Sequence, residues 1–267
     1  MQRMKRHASW SLLLLLAACA FAPSAPQVAV GGRVELWRAL DGEALFTIAG
    51  GLKPMSGGFW QTWIDVADPE LGEVRRVRAE LAEWRSDALW ADVHVFDQVH
   101  DGRRAASAYV MDREAVAELM VEHRAFFAPY GLAPDTHPAE IVAVVERMPK
   151  LDRHRGQGLL FGYPEHAIEF FVRAEEERES GGEVVKRRFV QIPTFGAETG
   201  RFVYAVPEGH SDNEEDRELR DAAARVLARY RELRAACAKA GEGPVADVVE
   251  ALRREFAGVR GRAVVAP

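Results

Sequence analysis

ADVHVFDQVHDGRRAASAYVM, residues 91–111, is the stretch from which the fold is read. Val93, Val95 and Val99 are interleaved with His94, Phe96 and His100, the two-residue period of a half-buried strand. His100-Asp101-Gly102-Arg103 supplies a turn and Ala106 to Met111 returns, so the stretch predicts a β-hairpin. A second hairpin is expected from Val184–Ile192 and Phe202–Val206, joined through Pro193, Gly196 and Gly200. Helical patterns lie between and around the two. That order predicts an α+β fold, a helix-rich single domain with two small antiparallel hairpins or sheets, rather than an alternating parallel sheet.

Outward from the first hairpin, the helices announce themselves by their caps. Asp68-Pro69 suits a helix start, with Leu71, Val74, Val77, Leu81 and Trp84 as its apolar stripe. Asp112 caps a helix carrying Val116, Leu119, Met120, Phe126 and Phe127. His137-Pro138, with Glu140 three residues on, resembles a capping box ahead of Ile141, Val144, Val145 and Met148. Residues 149–163 read as a basic, glycine-containing loop around Leu159-Leu160-Phe161. Tyr163-Pro164-Glu165 then opens a helix with Ile168, Phe170, Phe171 and Ala174, ending in a solvated charged run from Glu175 to Gly182.

Ser211 and Glu214 read as a capping box for the longest helix. Its stripe of Leu219, Ala223, Val226, Tyr230, Leu233 and Cys237 is spaced 4, 3, 4, 3 and 4. This heptad-like run is shorter than three heptads, so it is expected to pack on its own domain, with self-association through residues 219–237 as the alternative. A last short helix is expected from Pro244. Near the start of the body, Val34, Leu36, Trp37 and Leu40 suit one helical face, while Leu45, Phe46 and Ile48 fit strand or helix. Gly50 to Gly58 reads as a loop, either a turn with aromatic residues behind it or an anion-holding nest around Lys53 and Ser56.

Ahead of all this, Leu12–Leu16 runs into Ala17-Ala18-Cys19 behind Arg3, Lys5 and Arg6. Basic residues, a short apolar run and small residues are the layout of a secretory signal peptide. Leu16-Ala17-Ala18-Cys19 resembles the lipobox of bacterial lipoproteins. That resemblance covers residues 1–19 and implies cleavage before Cys19 and acylation of its thiol, which makes the membrane a partner through lipid. Residues 1–18 would be the signal peptide, 19–30 the lipidated cysteine and tether, and 31–267 the globular body. In the enterobacterial sorting pattern Asp after the cysteine favours the inner membrane; Ala20 stands there, which points to the outer membrane. The alternatives are an ordinary cleavage at Ala20-Phe21-Ala22, giving a soluble secreted protein, and an incidental Cys19 in an uncleaved start.

Without residues 1–18 the chain holds 32 Lys and Arg against 41 Asp and Glu, a net charge of −9. Such a body is not expected to bind nucleic acid. With Cys19 lipidated, Cys237 is the remaining thiol and no intrachain disulfide can form.

Chemical signatures are few. The sequence has no GxxxxGK[ST], GxSxG, HExxH or CxxC, and implies no cofactor and no metal. His94 and His100 are about 20 Å apart along a regular strand at about 3.3 Å per residue, too far to share an ion, and read as ordinary exposed histidines. Asp135, His137 and Glu140 at a helix start read as capping groups. The best site candidate is the 153–166 stretch. Arg153 and Arg155 could clamp an anion near Tyr163, and Glu165 with His166 could move protons. The expected function is therefore a lipid-anchored envelope protein with a binding or structural role. The alternative is a membrane-tethered hydrolase or transferase using residues 153–166.

Overall fold

The computed structural model describes residues 34–182, 184–239 and 245–256, so Cys19, the tether and Pro244 lie outside the described residues. The chain is α+β, as its sequence predicts. Two short helices, α1 (Val34–Asp41) and α2 (Leu45–Ile48), lead into strand β1 (Met55–Asp65) and helix α3 (Gly72–Ala82). Strands β2 (Leu89–His100) and β3 (Arg103–Asp112) form the first hairpin, followed by α4 (Arg113–Glu122) and α5 (Arg124–Phe127). Three consecutive helices come next: α6 (Pro138–Arg147), α7 (Lys150–Leu160) and α8 (Glu165–Glu179). The second hairpin pairs β4 (Arg187–Ile192) with β5 (Phe202–Pro207), and α9 (Glu214–Lys239) and α10 (Val245–Phe256) close the described chain.

The first hairpin turns on Asp101 and Gly102, both at positive φ (49° and 76°), the two-residue turn whose twist suits paired strands. It does not stand alone. Strand β1 joins it in an antiparallel sheet of order β1-β3-β2, and the expected loop at 50–58 is in its second half the start of this third strand. The pairing slips between Gly57 and Gln61, with Gly58 at φ 78°, so the glycines that look like loop residues build a bulge.

Strand β3 is the centre of the molecule. Ala106, Ala108 and Val110 face a large core completed by α1, α2, α3, α9, α10 and the second hairpin. Tyr109 and Met111 point the other way, into a smaller core shared with α4, α6 and α7. The stripe of α9 is used inside the chain: Ala223, Val226 and Tyr230 are buried, and Leu219, Leu233 and Cys237 pack beside them.

Several caps fall where they were expected. Asp112 accepts from the Ala115 amide at 3.0 Å, and His137 Nδ1 from Ala139 at 3.2 Å, although the Glu140 side chain makes no return bond among the described residues. Two are displaced. The helix read from Asp68 begins at Gly72, whose amide is taken by Glu70. The box read at Ser211 and Glu214 is built by Asn213 and Asp216, each side chain accepting from the other's amide at 2.9 and 3.1 Å. The charged run after Ala174 is not all solvated either. Glu175 is buried, paired with Arg178 at 2.8 Å and Lys150 at 3.3 Å.

The largest correction is residues 150–160, which form helix α7 rather than a loop. A β-carbon at Gly156 would come within 3.2 Å of Val145, and one at Gly158 within 2.8 Å of Ile168. The glycines let α7 lie close against α6 and α8, and that packing offsets their poor helix propensity, about 1 kcal/mol each. Gly158→Ala is expected to destabilise by about 1–3 kcal/mol through overpacking, despite the propensity it gains. Urea unfolding checks this, and an unchanged or higher midpoint would contradict the close crossing.

Candidate functional site

The sheet and the α6–α7 pair part at one place and leave a cavity of about 110 Å³ that is partly open to solvent. Its floor follows from strand alternation. Ser107 and Tyr109 on β3 face the same way as His94 opposite Ser107 on β2, and as Gly57 and Gln61 on β1. Its roof is Val142, Val145 and Glu146 from α6, with Gln157 and Leu160 from α7. Phe96, Phe161 and Tyr163 complete the walls. The space exists partly because residue 57 has no side chain. A β-carbon there would make ordinary contacts, 3.5 Å from Ala108 O and 3.9 Å from the Phe161 ring, so a larger side chain would enter the cavity.

Glu43 lines the cavity and is anchored by Lys53, a fully buried lysine whose Nζ lies 2.6 Å from Oε2. The ammonium sits 4.1 Å from the Phe202 ring centre, with Phe161 and Tyr163 at 5.6 and 5.7 Å. That arrangement is a cation held by a carboxylate and aromatic faces together. It fixes Glu43 and leaves the pair close to neutral.

The second polar group has no such compensation. Glu146 is 5% exposed, and His94 Nε2 stands 3.8 Å from its Oε2, beyond hydrogen-bond distance. Among the described residues that buried Nε2 has no hydrogen-bond partner. The His94 ring rests edge-on against Phe96 with centroids 4.7 Å apart. Tyr109 adds a neutral hydroxyl: burial pushes its phenol up to about 12, and Trp90 Nε1 donates to it at 3.3 Å. The cavity is thus mostly apolar and aromatic, with one acid–imidazole pair in which His94 Nε2 has no hydrogen-bond partner among the described residues.

Of the residues singled out between 153 and 166, Tyr163 lines this cavity. Arg153 donates to the Glu146 carbonyl from behind the roof, at 3.3 Å. Arg155 pairs with Glu169, which holds the Glu169 carboxyl below its ordinary range. The Glu165 amide donates to Glu215, and His166 turns toward Glu215 and Asp216. The expected anion clamp is therefore not assembled: Arg155 is taken by Glu169, and His166 faces Glu215 and Asp216. His94 is the reverse case. It reads as an exposed strand histidine but faces inward, whereas His100 packs edge-on against Trp63. Glu43 and Glu146 were not singled out by any motif, and Gly57 only as part of the Gly50–Gly58 stretch. No protein-family model matches the chain, and no curated protein or solved structure is significantly similar to it.

Proposed function

We propose that the chain is a lipid-anchored envelope protein whose body binds a small, largely apolar ligand through a protonated amine or a similar hydrogen-bond-donating head. The observation that carries the binding reading is the unpartnered His94 Nε2 beside the Glu146 carboxylate inside an aromatic-walled cavity. A buried imidazole nitrogen without a hydrogen bond is costly, and a polar head entering between it and the Glu146 carboxylate relieves that cost. The size sets the ligand class. An enclosed apolar cavity of about 150 Å³ holds one benzene ring; at about 110 Å³ and partly open to solvent, this one suits at most a single ring, seated with one end toward the opening, or a short branched chain. Aromatic faces at Phe96, Phe161 and Tyr163 favour a cationic head over an anionic one.

Calorimetric titration with benzylamine, benzyl alcohol and phenylacetate separates charge from shape. Benzylamine is expected to bind tightest and phenylacetate weakest. Glu146→Gln should lower benzylamine affinity at least tenfold and leave benzyl alcohol nearly unchanged. Gly57→Leu should abolish binding of all three by filling the space. Equal affinities for amine and carboxylate would contradict the assignment.

The location rests on the lipobox-like Leu16–Cys19 and on Ala20 after it, which favours the outer membrane. Two or more acyl chains anchor stably, and Ala20–Pro26 would reach on the order of 20–25 Å at about 3.1 Å per residue. The cavity would then work close to the membrane surface. Cys19→Ala is expected to abolish palmitate incorporation in growing cells; a mutant that still carries the label would overturn the anchoring.

A further inference from the structure

A second cluster lies away from the cavity, where α8 begins and the β5–α9 connection crosses it. His166 stands in the first turn of α8, His210 in the connection, and Asp216 in the first turn of α9. The two imidazoles are nearly parallel, 14° apart with centroids at 4.9 Å, and both direct a nitrogen at one carboxylate. His210 Nε2 is 2.6 Å from Asp216 Oδ2, and His166 Nε2 is 3.3 Å from Oδ1. One donor atom from each of the three residues can be chosen so that all lie within 4.8 Å of one another. Around a tetrahedral zinc, bonds of about 2.0–2.1 Å put donors roughly 3.3 Å apart, so small rotations would suffice.

Local hydrogen bonding does not account for the whole arrangement. Asp216, fully buried, accepts from Tyr204 Oη at 2.5 Å and from the Asn213 amide, and it contacts His210. His166 Nε2, although buried, has no partner of hydrogen-bond geometry among the described residues. Its other nitrogen, Nδ1, lies 3.1 Å from Glu215 Oε2 and 3.2 Å from the Asn213 side-chain amide. A carboxylate on the far nitrogen is the outer-shell arrangement that orients a metal-bound histidine.

Charge permits a cation here. The starts of α8 and α9 each oppose one with about half a positive charge. Asp216 and Glu215 supply two full negative charges against that. Two nearby arginines, Arg188 and Arg220, pair with Asp212 at 2.9 and 2.8 Å, and Arg217 donates to the Asp212 carbonyl at 2.8 Å.

We propose that His166, His210 and Asp216 bind a zinc-class divalent ion through two imidazole nitrogens and a carboxylate oxygen, with Tyr204 and Glu215 orienting them and water in the fourth position. The ion would clip together the start of α8, the β5–α9 connection and the start of α9. This site is separate from the ligand cavity and does not rest on its function.

The test uses untagged full-length chain stripped with chelator and then supplied with Zn²⁺ or Co²⁺. One zinc per chain by elemental analysis, and the intense visible absorption of four-coordinate cobalt, are expected. His166→Ala and His210→Ala should each weaken zinc at least 100-fold while leaving benzylamine binding unchanged. Should either variant fail to fold, carbethoxylation of the wild type decides: zinc is expected to protect His166 and His210 and to leave His100 reactive. Substoichiometric zinc in the wild type, zinc affinity unchanged in the folded variants, or no protection of the two histidines would each overturn the proposal.

Discussion

Glu43→Leu is expected to cost about 3–5 kcal/mol of stability, because it strands the ammonium of Lys53 in the interior. Lys53 is wholly buried, and among the described residues its one ionic partner is Glu43. The Phe202 face at 4.1 Å attracts the cation, but a cation–π contact is worth about 2 kcal/mol when desolvated and does not replace a counter-ion. Lys53→Met is expected to cost less, since the stranded carboxylate borders the cavity and water can reach it. Replacing both residues, Glu43→Leu with Lys53→Met, should recover most of the loss, because a buried pair returns little more than its own desolvation cost. For a chain of this size each kcal/mol moves the melting temperature by about 2–4 °C, so the first variant should fall by roughly 6–20 °C. Thermal unfolding of the two singles and the double measures the coupling. Small and additive effects would mean that the pair is not isolated from solvent.

Acid is expected to loosen the fold through His154 before it reaches the carboxylates. His154 is 3% exposed on α7, its ring edge-on to Phe171, and neither ring nitrogen has a partner among the described residues. Burial lowers it from 6.5 to about 4, which Glu175 nearby only partly opposes. The unfolded chain therefore binds a proton at this residue between about pH 6.5 and 4 that the folded chain refuses. Stability tied to His154 is whole above pH 6.5, falls as the pH drops through that window, and is gone below about 4. At about 1.4 kcal/mol per pH unit the loss amounts to about 3 kcal/mol. His154→Leu should remove that part of the acid sensitivity and raise stability slightly at neutral pH, where a buried N–H no longer goes unpaired. The carboxylates act lower down. Burial pushes Glu175 up, yet Arg178 and Lys150 outweigh it, so its contribution is lost only below the ordinary carboxylate range. Urea midpoints at pH 7 and 4.5 for the wild type and His154→Leu test this; parallel slopes in the two proteins would contradict it.

The fold was legible wherever one local signal sufficed. Asp101-Gly102 between alternating valines and histidines marks the hairpin, and the 4-3 spacing from Leu219 to Cys237 marks α9. Glycine misled in two places for different reasons. At Gly57 and Gly58 it makes a bulge in a real strand, and at Gly156 and Gly158 it makes room for neighbouring helices. In both, tertiary contacts outweigh the local preference of the residue, and those contacts are not written in the neighbouring sequence.

The site was less legible for a geometric reason. Glu165 and His166 are adjacent on a helix, and adjacent helical residues point in different directions, so closeness in sequence did not bring them together. The pair that does meet, His94 and Glu146, comes from a strand and a helix joined by 51 intervening residues, with no spacing rule to connect them. The same holds for His166 with His210 and Asp216, and for Lys53 with the rings of Phe161 and Phe202. A usable hint was Glu146 following Val145 at the edge of the apolar stripe of α6, where a long carboxylate is unusual.

Both stability predictions bear on the cavity, because Lys53 fixes Glu43 in one wall and His154 lies on α7, whose Gln157 and Leu160 form the roof. The most direct test of the cavity's role is a crystal soaked with 4-bromobenzylamine, its bromine located by anomalous scattering. The ring is expected between Phe161 and Tyr109 with its amine against Glu146. A cavity holding only water at saturating amine, or bromine bound solely elsewhere on the surface, would contradict the account.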